Sequence, residues 1–472
     1  TGSNNVSVGF QALDANTTGS SNIAIGSNAL GANTVADNNI GIGTSALLVN
    51  TTGAGNVGIG FNALTANTTG ANNVSVGTSA LDANSTGSSN IAIGTNALGA
   101  NTTADSNVGI GLSALLVNTT GTGNVAIGTT ALDANTTGSN NIGIGKDALG
   151  ANTTADSNVG IGLSALLLNT TGTANIAIGT TALDANSTGS NNIGIGKDAL
   201  GANTTADSNI AIGTSALLLN TTGTANVAIG TTALDACTTG ANNVAIGLNA
   251  LGAINTGASN IGIGTSALLV ATVSTQCVAV GGTALDACTT GVSNVAVGFD
   301  ALGAVTTGTT NTALGNGAGN NLTTATNCTV IGNAATSTDA TTSNIFTLGN
   351  SSVATLRCQQ TTITALSDAR DKADVTDLTF GLDLIREVRP VQFTWQMRDG
   401  SVTNKPDLGF IAQDLSELQD RWGLREVLQL VHDVNPNRIE ATPHRLFPVL
   451  VRAIQELAAR IEELEGKHAK HA

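Results

Sequence analysis

Tyrosine is absent from these 472 residues, aromatic side chains make up only 2% and charged ones only 10%. A domain of ordinary composition carries about a quarter charged residues. The shortages are also uneven. Over the first 350 residues the only cationic side chains are Lys146 and Lys197; 14 of the 17 Lys and Arg follow Leu366, with both Trp and four of the eight Phe. A region so poor in cations offers no basic patch for nucleic acid. No stretch approaches the ~20 continuous apolar residues of a membrane helix, and no signal peptide is read. The net charge of −15 is spread thinly, partly over the widely spaced Asp14, Asp82, Asp133, Asp184 and Asp235. The chain opens inside a repeat, "TGSNNVSVGF", so residue 1 is read as a cut point in a longer protein.

What is abundant is glycine, and it keeps time. The unit Asn-(Val/Ile)-x-(Val/Ile)-Gly-x-x-Ala-Leu recurs every 17 residues and places 21 in-register glycines from Gly9 to Gly349. A flexible low-complexity linker has no reason to hold phase over that distance. The expected fold is mainly β: a parallel β-roll or β-solenoid of 17-residue coils. Alternation in "NIAIG" puts Ile23 and Ile25 on one side of a short strand. Gly26 then allows a corner, Ala29 and Leu30 add a small apolar step, and "ANT", "TTG" and "ADSN" are turn chemistry. A single coil cannot bury its aliphatics, so stacking is expected to bury them as a row. At about 4.8 Å per rung the rod is roughly 100 Å long.

Seven residues after each glycine stands Asn, in thirteen coils from Asn16 to Asn220; the slot then holds Cys237, Ile254, Ala271, Cys288 and Val305. A slot that accepts those residues is interior, which makes the Asn row a stacked amide ladder. Cys237 and Cys288 are equivalent sites three coils apart, as are Cys277 and Cys328. About 14 Å is too far for a disulfide, so the cysteines read as small buried hydrophobes of a reducing cytoplasm. "NTT" and "NST" read as turns rather than glycosylation sites, and the repeat lacks the Gly-Gly and regular Asp of calcium-binding nonapeptides. Lys146 and Lys197 mark a three-coil super-repeat rather than a site. No cofactor or metal is expected.

"NVAIGTTAL" and "NIGIGKDAL" resemble the head repeats of YadA-like trimeric adhesins and related phage tail-fibre repeats, over about residues 5 to 332. The resemblance implies a parallel trimer of β-rolls. It departs in that no outer-membrane β-barrel anchor is read, which favours a phage fibre over a bacterial autotransporter.

From about Asn316 the repeat decays, and after Leu366 the composition changes outright. The division expected is a shaft over 1–316, a degenerate transition over 317–366 and a small α+β domain over 367–472. "VRPVQFTW" alternates like a strand, and "GFIAQDLSELQDRWG" passes from strand to helix. A closing helix, 446–465, fits a heptad with Phe447, Ile454 and Ile461 at a and Leu450, Leu457 and Leu464 at d. Arg460 and Glu465 are placed to pair between parallel chains. The same stripe also suits an amphipathic helix packed on its own domain, and Ile at a with Leu at d leans to two strands rather than three.

"LSDARDKADV", "GLDLIREVRPVQFTW", "GFIAQDL" and "LFPVLVRAIQEL" resemble the C-terminal intramolecular chaperone of phage endosialidases and tail spikes. The resemblance implies a domain that trimerises, drives folding of the β-fibre ahead of it and is released by self-cleavage. It implies a scissile bond Leu366–Ser367, with Ser367 as nucleophile and Lys372 as base. A Ser hydroxyl needs a neighbouring base, and Lys serves as one only where burial disfavours its charge. Asp368 and Arg370 are candidate supporting residues without an assigned role. The plainer alternative is that Ser367 caps a turn among solvated charges.

The expected function is a structural phage tail fibre: the distal shaft, assembled in the host cytoplasm and carried on the virion. Its expected partners are two further copies of itself, upstream fibre proteins and a host-surface receptor, with no nucleic acid and no membrane insertion. The one chemical activity expected is single-turnover self-cleavage. The alternative is a bacterial trimeric surface adhesin with the same repeats. An ice-binding solenoid is disfavoured because the threonines are adjacent rather than in a Thr-x-Thr array.

Overall fold

The structure is a computed structural model that describes residues 2–337, 339–353, 355–357, 367–397, 403–433 and 439–469. Among these residues, 21 strands of three residues each, β1 (Val6–Val8) through β21 (Phe346–Leu348), form one parallel sheet. Each strand pairs with the next at an offset of 17, as Val6 with Ile23 and Ile23 with Ile40. The ladder continues through the degenerate repeats to Thr329 opposite Phe346. The fold is therefore the parallel β-solenoid that the glycine period predicts. Across the coil from the sheet, the Ala-Leu steps form a second wall, in which Leu30 N donates to Ala46 O at 3.0 Å and Leu47 N to Ala63 O at 3.0 Å.

Which side of the strand is buried is a correction to the expected aliphatic row. Ile23 and Ile25 do share a face, but it is the outer one: Ile25 is 39% exposed while Ala24 between them is fully buried. The interior is built from Ala and Leu of the second wall and from the small middle residue of each strand. The reason is thickness. A Cβ on Gly41, the equivalent of Ala24, would stand 3.2 Å from Leu30 Cγ of the preceding coil. Facing that Leu there is space for Gly, Ala or Ser; Val330 fills the slot where Gly319 stands in place of the Leu.

Two backbone features recur in every regular coil. Gly26 turns the corner at φ +135°, and a Cβ there would lie 2.5 Å from the Gly43 carbonyl oxygen, so only glycine fits. Leu30 sits at φ +52°. A left-handed residue with a Cβ costs about 1–2 kcal/mol, which full burial of its side chain, worth about 1.5–3 kcal/mol, offsets.

The predicted Asn ladder is interior. Asn33 Nδ2 donates to Asn16 Oδ1 in the previous coil at 3.1 Å and to the Ala36 carbonyl at 3.1 Å. A second ladder, four residues before each glycine, runs beside it. Asn22 is fully buried, its Oδ1 accepts from Asn39 N at 2.9 Å, and its Nδ2 donates to the same Ala36 carbonyl at 2.8 Å. Cys237, Cys277, Cys288 and Cys328 are free and buried in these two slots; Cys358 lies outside the described residues.

The C-terminal region is a small α+β unit. It comprises α1 (Leu382–Glu387), an antiparallel pair β22 (Val391–Gln396) and β23 (Thr403–Gly409), α2 (Ala412–Arg421), α3 (Arg425–Leu428), a short pair β24 (Val431–His432) and β25 (Glu440–Ala441), and α4 (Phe447–Ala469). Leu384, Leu415, Leu418, Leu428, Leu430, Leu446 and Val449 form its core.

Candidate functional site

The charged cluster after residue 366 folds into a single tight turn over Ala369–Asp371. Its N-cap is Asp368, which accepts from Arg370 N at 2.9 Å and is gripped by the Arg370 guanidinium, with Nη2 2.6 Å from Oδ2. That hydrogen-bonded pair holds the Asp368 carboxyl below its ordinary range. Closing the turn reverses the chain, so Lys372 swings back over Ser367. Its Nζ lies 2.5 Å from Ser367 Oγ and 3.4 Å from the Ser367 carbonyl oxygen. The residues expected to act as nucleophile and base are thus in hydrogen-bond contact, and the Asp368–Arg370 clasp positions them. Leu366, the other side of the expected scissile bond, lies outside the described residues.

Two features bear on chemistry. The turn is capped by Asp368, which leaves the Ser367 hydroxyl to Lys372. Both Ser367 and Lys372 are exposed in the single chain, which lacks the burial that a general-base lysine requires. Among the described residues, no group of three or more His, Cys, Asp or Glu is gathered as a metal site.

Helix α4 presents two faces with different fates. Val449 and Ala453 turn inward and are buried, and Glu456 accepts from Leu382 N at 2.8 Å, capping α1. The helix therefore docks on its own domain. The heptad stripe is separate from that contact. Phe447, Leu450, Ile454, Leu457, Ile461 and Leu464 are all exposed, from 42% for Leu450 to 70% for Phe447.

Sequence reasoning did not find the polar struts that shape this unit. Arg425 bonds Asp420 at 2.6 Å, Asp433 at 2.7 Å and Ser416 Oγ at 2.7 Å, tying α2, α3 and the end of β24. Gln419 is fully buried and its Oε1 accepts from Leu430 N at 2.8 Å. Trp395 Nε1 donates to Asp407 Oδ2 at 3.0 Å across β22 and β23. Such contacts join residues five to twelve apart without any motif, so spacing alone gives no sign of them.

Residues 367–424 match the family described as the chaperone of endosialidase. The match opens on Ser367 and takes in the Ser–Lys turn, the β22–β23 pair and α2; it stops before β24 and α4. No curated protein and no solved structure matches the chain. A β-solenoid followed by an endosialidase-chaperone segment is an arrangement consistent with a tail-fibre-like protein.

Proposed function

We propose that this chain is a homotrimeric phage tail fibre, a structural shaft that contacts the host surface, whose C-terminal domain sets its register and is then released by self-cleavage between Leu366 and Ser367. The observation that carries the reading is a pair of uncovered apolar stripes. One is the outer Val/Ile row along the solenoid; the other is the heptad face of α4. The more exposed of these, such as Ile25 and Ile93 at 39%, each gain roughly 0.5–1 kcal/mol on being covered. Repeated along 21 strands, the row makes a continuous incentive for side-by-side association of identical rods.

That incentive does not choose an alignment. Sliding one shaft past another by a coil pairs nearly the same side chains again, so register slips cost little locally. A folded C-terminal trimer fixes the starting register, and the coils then zip toward the N-terminus. Loss of the template afterwards leaves the fibre kinetically trapped.

For the cleavage step, Ser367 Oγ attacks the Leu366 carbonyl as Lys372 takes the hydroxyl proton. The peptide C–N bond breaks, an ester joins Leu366 to the Ser367 side chain, and the Ser367 amine leaves protonated. Water then hydrolyses the ester to the Leu366 carboxylate and the free hydroxyl. Because the dyad is exposed in one chain, the neighbouring chains of the trimer supply its burial, which times cleavage after assembly.

The test is light scattering and intact mass on the full chain beside Ser367→Ala. A trimer with fragments 1–366 and 367–472, the fragments absent from the variant, is the expected result. A monomeric shaft, or fragments that persist in Ser367→Ala, overturns the reading.

A further inference from the structure

The two Asn ladders meet at a shared acceptor in each regular coil: Asn22 and Asn33 both donate to the carbonyl of Ala36. In one coil both positions are cysteine. Cys277 and Cys288 are fully buried, and their Sγ atoms lie 3.4 Å and 3.7 Å from the same acceptor, the carbonyl oxygen of Gly291. Elsewhere a cysteine in these slots stands opposite another residue, as Cys237 does opposite Asn226 and Cys328 opposite Asp339.

A third substitution converges on the same spot. The slot ten residues after each glycine holds Gly or Ala in every coil from residue 19 to 325 except at Ser274. Ser274 is fully buried, and its Oγ lies 3.7 Å from Cys288 Sγ. Three departures from the repeat thus form one cluster of two thiols and a hydroxyl, with Ala271 and Val305 in the coils on either side of Cys288. The interaction of the two thiols raises Cys277 and lowers Cys288, so Cys288 is the readier thiolate.

We propose that Cys277 and Cys288 are a redox site: they close an intrachain disulfide when the shaft meets a low-molecular-weight disulfide oxidant, stapling the strand wall of that coil to its opposite wall. The distance between equivalent sites three coils apart excludes the pairs 237–288 and 277–328, but 277 and 288 belong to one coil. The Cys288 thiolate attacks a sulfur of the oxidant and expels one of its thiols. The Cys277 thiolate then displaces the second thiol from the mixed disulfide. Two protein thiols are oxidised and one small disulfide is reduced to two thiols. With the thiols buried, exchange follows local opening of the coil or precedes its closure during folding. The bond requires neither trimerisation nor cleavage at Ser367.

The test uses the full chain with Cys237→Asn, which restores the usual ladder residue. Cystamine is added to the assembled protein in one arm and during refolding in the other, followed by denaturation in N-ethylmaleimide. Cleavage before aspartate separates peptide 235–285, then holding only Cys277, from peptide 286–299, holding only Cys288. The expected product is the two peptides linked, separable by reduction, with a mass about 2 Da below their sum. The link is absent from Cys277→Asn/Cys288→Asn, which rebuilds the amide pair and keeps the coil. Singly alkylated peptides, separate cystamine adducts or a covalent dimer of chains in both arms overturns the proposal.

Discussion

Asn67 donates to Asn50 Oδ1 in the coil before it at 2.8 Å and to the Gly70 carbonyl at 2.9 Å, while its own Oδ1 accepts from Asn84 at 2.9 Å. One side chain thus satisfies groups in three successive coils. Asn67→Ala strands buried acceptors at a cost of about 1–3 kcal/mol. Because a solenoid's stability is close to a sum over neighbours, the loss stays local. Amide hydrogen exchange in the coils of Asn50 and Asn84 should accelerate by roughly 5- to 150-fold, with distant coils unchanged. Asn67→Cys should cost less, since Cys237 occupies the same slot and its thiol reaches the Gly240 carbonyl at 3.5 Å. Equal losses for the two variants would show that amide pairing does not govern this slot.

The three-coil super-repeat has a packing basis and a pH consequence. From Asp82 to Gly303 the residue five after each in-register glycine cycles through Asp, Gly and Leu, as at Asp82, Gly99 and Leu116. A Cβ on Gly99 would stand 3.3 Å from Leu116 Cδ1 and 3.7 Å from Asp82 Oδ1, so the Leu folds over the empty position toward the carboxylate. Burial raises Asp82, Asp133, Asp184, Asp235 and Asp286 above the ordinary carboxylate value. A carboxyl raised by folding contributes stability below its unfolded pKa, and that contribution is lost as pH rises through its folded pKa. Replacing all five by Asn should therefore raise the melting temperature at pH 7. The gap should close as pH falls below about 4. Asp147, Asp198 and Asp339 are held low by hydrogen-bond partners; Asp147 and Asp198 also repel Asp133 and Asp184, and relief of that repulsion adds to the gap in the same direction. A gap independent of pH would refute the assignment.

The solenoid was legible because backbone geometry demands the same residue at each turn of the coil. Gly26 fits where no Cβ does, and Asn16 to Asn220 fill one interior row. Facing was harder. Alternation states that Ile23 and Ile25 share a side but not which side, and the clue lay in the residue between them, small in every regular coil: Ala24, Gly41, Ser75. The second ladder carried the same signal as the first, for Cys277 and Cys328 occupy its slots as Cys237 and Cys288 occupy the other. Around Ser367, a separation of five residues says nothing about contact. It took the Asp368–Arg370 clasp to fold Lys372 back. The α4 stripe was readable from its heptad, whereas the inward face of Val449 and Ala453 depends on α1, which no local pattern announces.

The two faces of α4 make separable predictions. Ile454→Asp or Leu457→Asp places a charge on the exposed stripe and leaves the domain core untouched, so far-ultraviolet circular dichroism should be unchanged while light scattering reports loss of the trimer. Val449→Asp buries an unpaired carboxylate against Leu384 and Leu446, and the domain itself should lose helix content. If Ile454→Asp leaves the oligomer intact, the heptad stripe is not the seam.

Cleavage should depend on that seam, because Ser367 and Lys372 are in contact but exposed. Lys372→Met removes the proton acceptor and should slow release of 367–472 by about 10²- to 10⁴-fold. Lys372→Arg, which keeps the charge but cannot give up its proton, should be as slow. Ser367→Ala should abolish cleavage while the trimer still assembles. Ile454→Asp should reduce cleavage with the dyad intact, and raising the protein concentration should restore both assembly and cleavage together if partner chains provide the burial. Asp368→Asn weakens the clasp on Arg370, and its effect should fall between wild type and Lys372→Met. Mass spectrometry of the fragments over time measures all five variants. Full-rate cleavage in monomeric Ile454→Asp would place the activation within one chain and separate self-processing from assembly.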